Sequence, residues 1–219
     1  MKTTLNNRKT VIFAWMLSAC GLVTILLFGN QTKVNAQEHQ HQHQHHDHHE
    51  ATPEVKGYVS MQANYTIPEV MLVESDGKEK LLSKTVDPNK PVMLNFIFTT
   101  CTAICPSMSA TFAQVAQKMD RGGETVQLVS ISVDPEQDTP TKLKEYAKKF
   151  EAGSMWRLFT GTTANSILTQ RAFDAYRGDK MNHVPLTFIR GANSVRWARI
   201  EGIASADELI KEYRALASK

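Results

Sequence analysis

Hydrophobic positions in the second half of the chain follow two periods, one typical of strands and one typical of helices. A nearly continuous apolar run over 92–98 predicts a strand that is buried on both faces. The chain then changes to helical spacing over 106–119, where Met108, Phe112 and Val115 lie three or four residues apart. Because such changes recur along the chain, the pattern predicts one α/β domain in which helices cover a sheet.

Other segments complete this predicted domain. Further strands are expected at 67–73, 127–133, 156–159, 186–189 and 195–200, the first leading into a turn at 75–77 and the last two forming a hairpin. Further helices are expected from Asp138-Thr139-Pro140 to Phe150, over 164–176 and over 206–216. Ser205 and Glu208 have the spacing of a capping box, which predicts the start of the last helix.

The first 36 residues have the pattern of an export segment. Basic residues precede an uncharged, mostly apolar run over 11–28, and Val34-Asn35-Ala36 offers the small residues that a signal peptidase reads. The run is long for a signal peptide, which has about 7–15 apolar residues, and short for a membrane span of about 20. Cleavage after Ala36 and a retained inner-membrane anchor therefore both remain open. Either outcome predicts an extracytoplasmic, periplasmic domain.

A histidine-rich linker over 37–56 separates this segment from the predicted domain, 57–219. Between 37 and 50 it has no strongly apolar side chain, so we expect a disordered, solvated tract. Imidazoles bind copper, zinc and nickel, which predicts an auxiliary metal tract of weak sites. Its seven histidines are His39, His41, His43, His45, His46, His48 and His49.

The charge of the chain argues against one class of partner. The 219 residues include 25 basic and 22 acidic side chains, and residues 51–219 alone carry 21 and 19. A nucleic-acid-binding domain usually concentrates basic residues, and this near balance gives no such signal. We therefore expect no nucleic-acid partner.

Two of the three cysteines fall where the first buried strand meets the first long helix. Cys101 and Cys105 are four residues apart, so the helix geometry brings them to one face of the first turn. The positive end of the helix dipole stabilises thiolates there. Such a pair can close a disulfide or bind a soft metal ion. A purely structural disulfide is a weaker interpretation, because so short a loop adds little stability.

His183 is the one histidine of the predicted domain, and it lies just before Pro185 and a predicted strand. Strands that alternate with helices and end in a hairpin and a helix predict an α/β sandwich of the thioredoxin kind. In such a sandwich, the loop that enters this strand passes beside the cysteines. Two thiolates and one imidazole suit Cu(I), and they can hold Cu(II) with a further weak ligand. Zinc prefers a fourth ligand, which the domain's histidines and cysteines do not supply. The three residues therefore predict a copper site.

Two motifs resemble those of the Sco/SenC family. They are Cys101-x-x-x-Cys105-Pro106 after Asn95–Thr99, and Ser130–Pro140 followed by Leu143-Lys144-Glu145-Tyr146. The resemblance covers about 60–217. It implies a thioredoxin-like fold and a membrane-tethered domain that binds copper through Cys101, Cys105 and His183.

The resemblance also implies a function in assembling the binuclear copper centre of cytochrome c oxidase. Oxidase subunit II, or a similar copper acceptor, and a thiol reductant are then the expected partners. Asp134 falls in the family's Asp-Pro motif, and we interpret its side chain as a turn former that bonds nearby backbone N–H groups. The sequence departs from the family at Asn182, where an aspartate is usual, and in the short loop between Tyr176 and His183.

Two further functions use the same residues. Val184-Pro185 resembles the thioredoxin segment in which a cis proline faces the redox cysteines. A thiol–disulfide oxidoreductase that keeps a partner's cysteines reduced is therefore the alternative, with Cys101 attacking first. A copper-dependent redox sensor is a third interpretation. The preferred one is a copper chaperone rather than an enzyme, because copper binding explains His183 and disulfide exchange does not require it.

Overall fold

The computed structural model describes residues 57–217, which contain one mixed eight-stranded sheet. The strand order across the sheet is β1-β8-β7-β4-β5-β6-β2-β3. Strands β4, β5 and β6 run parallel, whereas the other pairings are antiparallel. The strands are β1 (Tyr58–Asn64), β2 (Met71–Glu74), β3 (Glu79–Leu81), β4 (Val92–Ile97), β5 (Gln127–Ser132), β6 (Trp156–Thr160), β7 (Leu186–Arg190) and β8 (Arg196–Gly202).

Five α-helices connect or follow these strands. They are α1 (Leu82–Thr85), α2 (Ile104–Arg121), α3 (Pro140–Lys149), α4 (Thr163–Ala172) and α5 (Ala206–Ala217). A 3-10 turn over Lys180–Asn182 precedes β7. The predicted α/β sandwich is therefore present over the described residues.

The central strand β4 separates two hydrophobic cores. All six of its residues are buried, as the continuous apolar run predicts. Met93 and Ile97 pack with α2, α3 and α5 on one face, whereas Leu94 and Phe96 pack against Phe173 and other side chains on the opposite face. This alternation holds the end of β4 rigidly between two layers, and the cysteine motif follows directly.

Most predicted elements are confirmed, with shifted ends. The hairpin at 75–77 joins β2 to β3, and the capping box of α5 forms, because Ser205 and Glu208 each bond the other's backbone N–H. Helix α4 ends at Ala172 rather than residue 176, because Phe173 turns into the core and Asp174 adopts φ 50°. Strand β1, helix α1 and the 3-10 turn were not predicted.

The predicted export segment, 1–36, and the histidine-rich linker, 37–56, lie outside the described residues. Between 57 and 217, none of the helices combines the length and the hydropathy that crossing a membrane requires.

Candidate metal centre

The two cysteines lie where β4 passes into α2. Cys101 is in the connecting loop, where its N–H donates to the Phe98 carbonyl at 3.2 Å. Cys105 is the second residue of α2 and is completely buried, whereas Cys101 is partly exposed. Both thiols are free, and the side chains hydrogen-bond to each other. The predicted proximity of the pair is therefore present in its reduced form.

The surroundings of Cys101 favour its thiolate. Burial alone would raise the pKa of the Cys101 thiol, but hydrogen bonds to the sulfur outweigh this effect and lower it below its ordinary value. The donors are the backbone N–H and thiol of Cys105 and the backbone N–H groups of Ala103 and Ile104. These N–H groups belong to the start of α2, as expected for the positive end of a helix dipole.

Cys105 has the opposite character. Burial raises the pKa of the Cys105 thiol to about 12, and the nearby charges of Cys101 and Asp138 act in the same direction. The backbone N–H of Phe98 donates to its sulfur and opposes the shift only in part. At neutral pH, Cys105 therefore keeps its proton and donates it in the hydrogen bond to Cys101.

His183 follows the 3-10 turn and is held by β4. Its Nε2 lies 2.9 Å from the carbonyl oxygen of Phe96, and its ring meets the Phe98 ring edge-on at 6.5 Å. A carbonyl oxygen can only accept, so Nε2 carries the proton and Nδ1 carries the lone pair. Burial lowers the pKa of His183, and Arg177 adds to this effect. The imidazole is therefore neutral at neutral pH, which is the form that binds metals.

The end of β4 connects the three predicted ligands. Phe98 donates its N–H to the Cys105 sulfur and places its ring against His183. Nevertheless, no three histidine, cysteine or acidic side chains between 57 and 217 are gathered into a group that could hold a metal ion. The structure thus brings the two thiols together, but it does not place His183 with them as the third member of a ligand group.

The sequence matches the SCO1/SenC family over residues 61–218. The chain belongs to the SCO1/SenC family. A relative from Bacillus subtilis (strain 168), described as a SCO1 protein homolog, is 31% identical over 105 residues. The aligned residues make up 48% of this chain and 53% of the relative, so the chain spans about half of that relative's length.

Solved structures of this family share the fold. A SCO1/SenC family lipoprotein from Bacillus anthracis str. Ames has a TM-score of 0.62 at 25% identity, over 71% of this chain and 97% of that protein. Arabidopsis thaliana ScoI, solved with copper bound, has a TM-score of 0.56 at 25% identity, over 68% of this chain and 99% of that protein. The thioredoxin-like fold of the SCO1/SenC family is thereby confirmed.

Asp138, near Cys105, is a buried residue that the sequence pattern does not predict as part of the site. The segment Asp138-Thr139-Pro140 predicts a helix start, and in the structure Thr139 caps α3, where its side chain accepts from the Lys142 N–H. Asp138 instead points inward, is completely buried and accepts from Thr99 and Ser132. The adjacent Asp and Thr were both possible caps. Since only one can cap, the other was available for burial.

Two expectations at this site are wrong. The Asp134 side chain does not bond nearby N–H groups of a turn; its backbone carbonyl accepts from Gln137 and Asp138, and its carboxylate pairs with Lys180 at 2.6 Å. Asp134 is buried, so its charge needs a partner of opposite sign. In addition, no cis peptide bond occurs in the part of the chain that the structure describes, so Pro185 differs from the thioredoxin cis proline.

Proposed function

We propose that this chain is an extracytoplasmic copper chaperone that holds one copper ion through Cys101, Cys105 and His183. The observation that carries the proposal is the reduced thiol pair at the start of α2, contacted by Phe98, whose ring also packs against His183. Two sulfurs and one imidazole nitrogen suit Cu(I). The copper-bound ScoI relative from Arabidopsis supports the choice of metal.

The hydrogen bond between His183 and Phe96 determines which ring atom would bind copper. With Nε2 donating to the carbonyl oxygen at 2.9 Å, Nδ1 is the coordinating atom. Metal-binding histidines commonly donate their second ring N–H to a carbonyl or carboxylate, which fixes the orientation of the ring. Because His183 does not yet complete a ligand group, we propose that copper first binds the two thiols and then recruits the imidazole.

The redox state of the thiols controls delivery in this proposal. A reduced pair loses protons as it binds copper, whereas a Cys101–Cys105 disulfide has no thiolate to offer. A thiol reductant is therefore a required partner. We propose subunit II of cytochrome c oxidase, or a similar acceptor, as the protein that receives copper. The SCO1/SenC lipoprotein of Bacillus anthracis supports an extracytoplasmic, membrane-associated location.

A Cu(I) titration tests the proposed site. Reduced chain lacking residues 37–50 is expected to bind one Cu(I) per molecule, because that variant has no histidine tract. His183→Ala is expected to weaken binding about tenfold to hundredfold, and Cys101→Ser or Cys105→Ser to nearly abolish it. Asn182→Ala, which changes a neighbouring loop residue of another type, is the matched control. Copper affinity unchanged by His183→Ala would contradict the three-ligand site.

The asymmetry of the thiols favours a second candidate, a thiol–disulfide oxidoreductase. Cys101 is the more acidic and the more exposed thiol, as an attacking cysteine should be, and buried Cys105 would resolve the mixed disulfide. Insulin reduction and copper transfer to an oxidase subunit II domain can be measured on the same preparations. We expect His183→Ala to fail in transfer and to keep thiol exchange. The oxidoreductase would be favoured if the chain reduces insulin catalytically and if His183→Ala transfers copper as well as the parent chain does.

A further inference from the structure

A buried carboxylate anchors the loop that carries Cys101. Asp138 Oδ1 accepts from the Thr99 hydroxyl at 2.6 Å, and both carboxylate oxygens lie 3.2 Å from the Thr99 N–H. Thr99 is two residues before Cys101, so these bonds fix the start of the loop. Hydrogen bonds to an ionised group are the strong ones, and a buried carboxylate without them would be very costly.

A second carboxylate of the same β5–α3 connection anchors the loop that carries His183. Lys180 Nζ donates to Asp134 Oδ2 at 2.6 Å, and Lys180 lies in the 3-10 turn that ends at His183. Asp134 is buried, while the Lys180 side chain is 36% exposed. The ion pair therefore ties the short histidine loop to the segment that follows β5.

Ser132 joins the two anchors into a continuous chain of hydrogen bonds. Its hydroxyl donates to Asp138 Oδ2 at 2.6 Å and accepts from the Asp134 N–H at 3.0 Å. The path thus runs from Lys180 through Asp134, Ser132 and Asp138 to Thr99. It connects two loops whose anchor residues are 81 positions apart in the sequence.

We infer that Ser132, Asp134 and Asp138 form a bracket that holds the histidine loop in register with the cysteine loop. Lys180 and Thr99 are the positioning residues at its two ends. The inference rests on the proposed copper site, since it says how the chain keeps the His183 loop beside the cysteine loop, from which copper on the two thiols can recruit the imidazole. The bracket residues act through the loops and do not touch the ion.

The loop before His183 is short, and the bracket is one of its anchors. Only six residues separate Tyr176 from His183, and the described contacts of that loop include the Lys180 ion pair and the His183 bond to Phe96. A metal-binding side chain that is held loosely gives a lower affinity, because it loses conformational entropy when it binds the ion. Fixing both loops to one rigid strand end lowers that cost.

Cu(I) affinity of the full chain, measured by competition with a chromogenic Cu(I) chelator, tests the bracket. Ser132→Ala and Lys180→Met are each expected to lower affinity by about tenfold, the lower end of the range for groups that orient metal ligands, and by no more than His183→Ala does. Because both act through one path, the double variant should lose no more than the weaker-binding single variant. Lys180→Arg, which keeps the ion pair, should stay within about twofold of the parent chain.

Ser130→Ala is the matched control. Ser130 is another buried serine of β5, and its hydroxyl donates to Asn95 Oδ1 at 2.6 Å, away from the bracket. Ser130→Ala should also lower the free energy of unfolding, because its hydroxyl bonds both Asn95 and Trp156, and it should leave Cu(I) affinity unchanged. Equal loss of copper affinity in both serine variants would show a general effect of stability and overturn the inference.

A measurement without metal separates this inference from the copper proposal. In the apo protein, Lys180→Met should shift the amide resonance of Thr99, at the far end of the path, and leave that of Asn95 in place. Failure of the parent chain to bind Cu(I) would contradict the proposed function alone. A Thr99 resonance that does not move, or affinity losses that multiply in the double variant, would contradict the bracket.

Discussion

At the scale of single residues, Cys101 and Cys105 are the same side chain in two different environments. The Cys101 sulfur accepts hydrogen bonds from N–H groups at the start of α2, whereas the Cys105 thiol is buried and has a pKa of about 12. The difference comes from four residues of displacement along the chain: the first cysteine precedes the helix, and the second is inside its first turn. One thiol is therefore ready to react or bind, and the other requires a metal or a disulfide to lose its proton.

Alkylation rates measure this difference. With iodoacetamide at pH 7, the Cys105→Ser variant, which retains Cys101, should react at least about a hundredfold faster than Cys101→Ser, because reactivity follows the thiolate fraction and access. Each variant also carries Cys20→Ser, so that one thiol is present per molecule. Similar rates in the two variants would contradict the assignment of Cys101 as the attacking thiol. Reaction of both variants in denaturant at one common rate is the control.

At the scale of elements, the start of α2 is supported by α3. The Tyr146 hydroxyl lies 2.8 Å from the Ser109 hydroxyl and donates to the Cys105 carbonyl at 3.4 Å. Both Tyr146 and Ser109 are buried, and burial raises the pKa of Tyr146, so its hydroxyl remains protonated and available as a donor. Helix α3 thus helps to position Cys105 through the Tyr146 hydroxyl.

Removing this hydroxyl is expected to destabilise the domain. Tyr146→Phe leaves Ser109 buried without its partner, which costs about 1–3 kcal/mol of the free energy of unfolding. Ser109→Ala in the same chain should recover part of that loss, because no buried hydroxyl is then left unpaired. Urea unfolding of the parent, both single variants and the double variant measures the coupling. Strictly additive losses would show that the two hydroxyls do not act as a pair.

Elements with strong local signals were predicted, and those that depend on distant partners were not. The capping box of α5 and the buried run of β4 each depend on residues that are close together in the sequence. Strand β1 has no such signal, since most of its side chains are exposed and only its pairing with β8 makes it a strand. The Lys180–Asp134 pair joins residues 46 positions apart, so no local pattern could have predicted it.

At the scale of the whole molecule, the chain offers two kinds of metal ligand in separate segments. The tract over 39–49 is predicted to bind divalent ions through its imidazoles, and it lies outside the described residues. The domain offers two sulfurs and a single neutral imidazole. We propose that the tract binds divalent ions weakly and that the domain holds copper. Their proton chemistry differs, and the two can be measured separately.

Metal binding by the tract and by the domain should respond differently to pH. Imidazole must be neutral to bind, so divalent-metal stoichiometry of the full chain should fall as pH decreases through about 6.5. The chain lacking residues 37–50 should not show this fall in stoichiometry, because the pKa of His183 lies lower.

The Cu(I) affinity of the chain lacking residues 37–50 should rise with pH instead. We expect a rise of about tenfold per pH unit across pH 7–9, or a steeper one, because copper displaces the Cys105 proton, whose pKa is about 12. Equal stoichiometry with and without the tract would make residues 37–50 a spacer, and a Cu(I) affinity independent of pH would exclude Cys105 as a ligand.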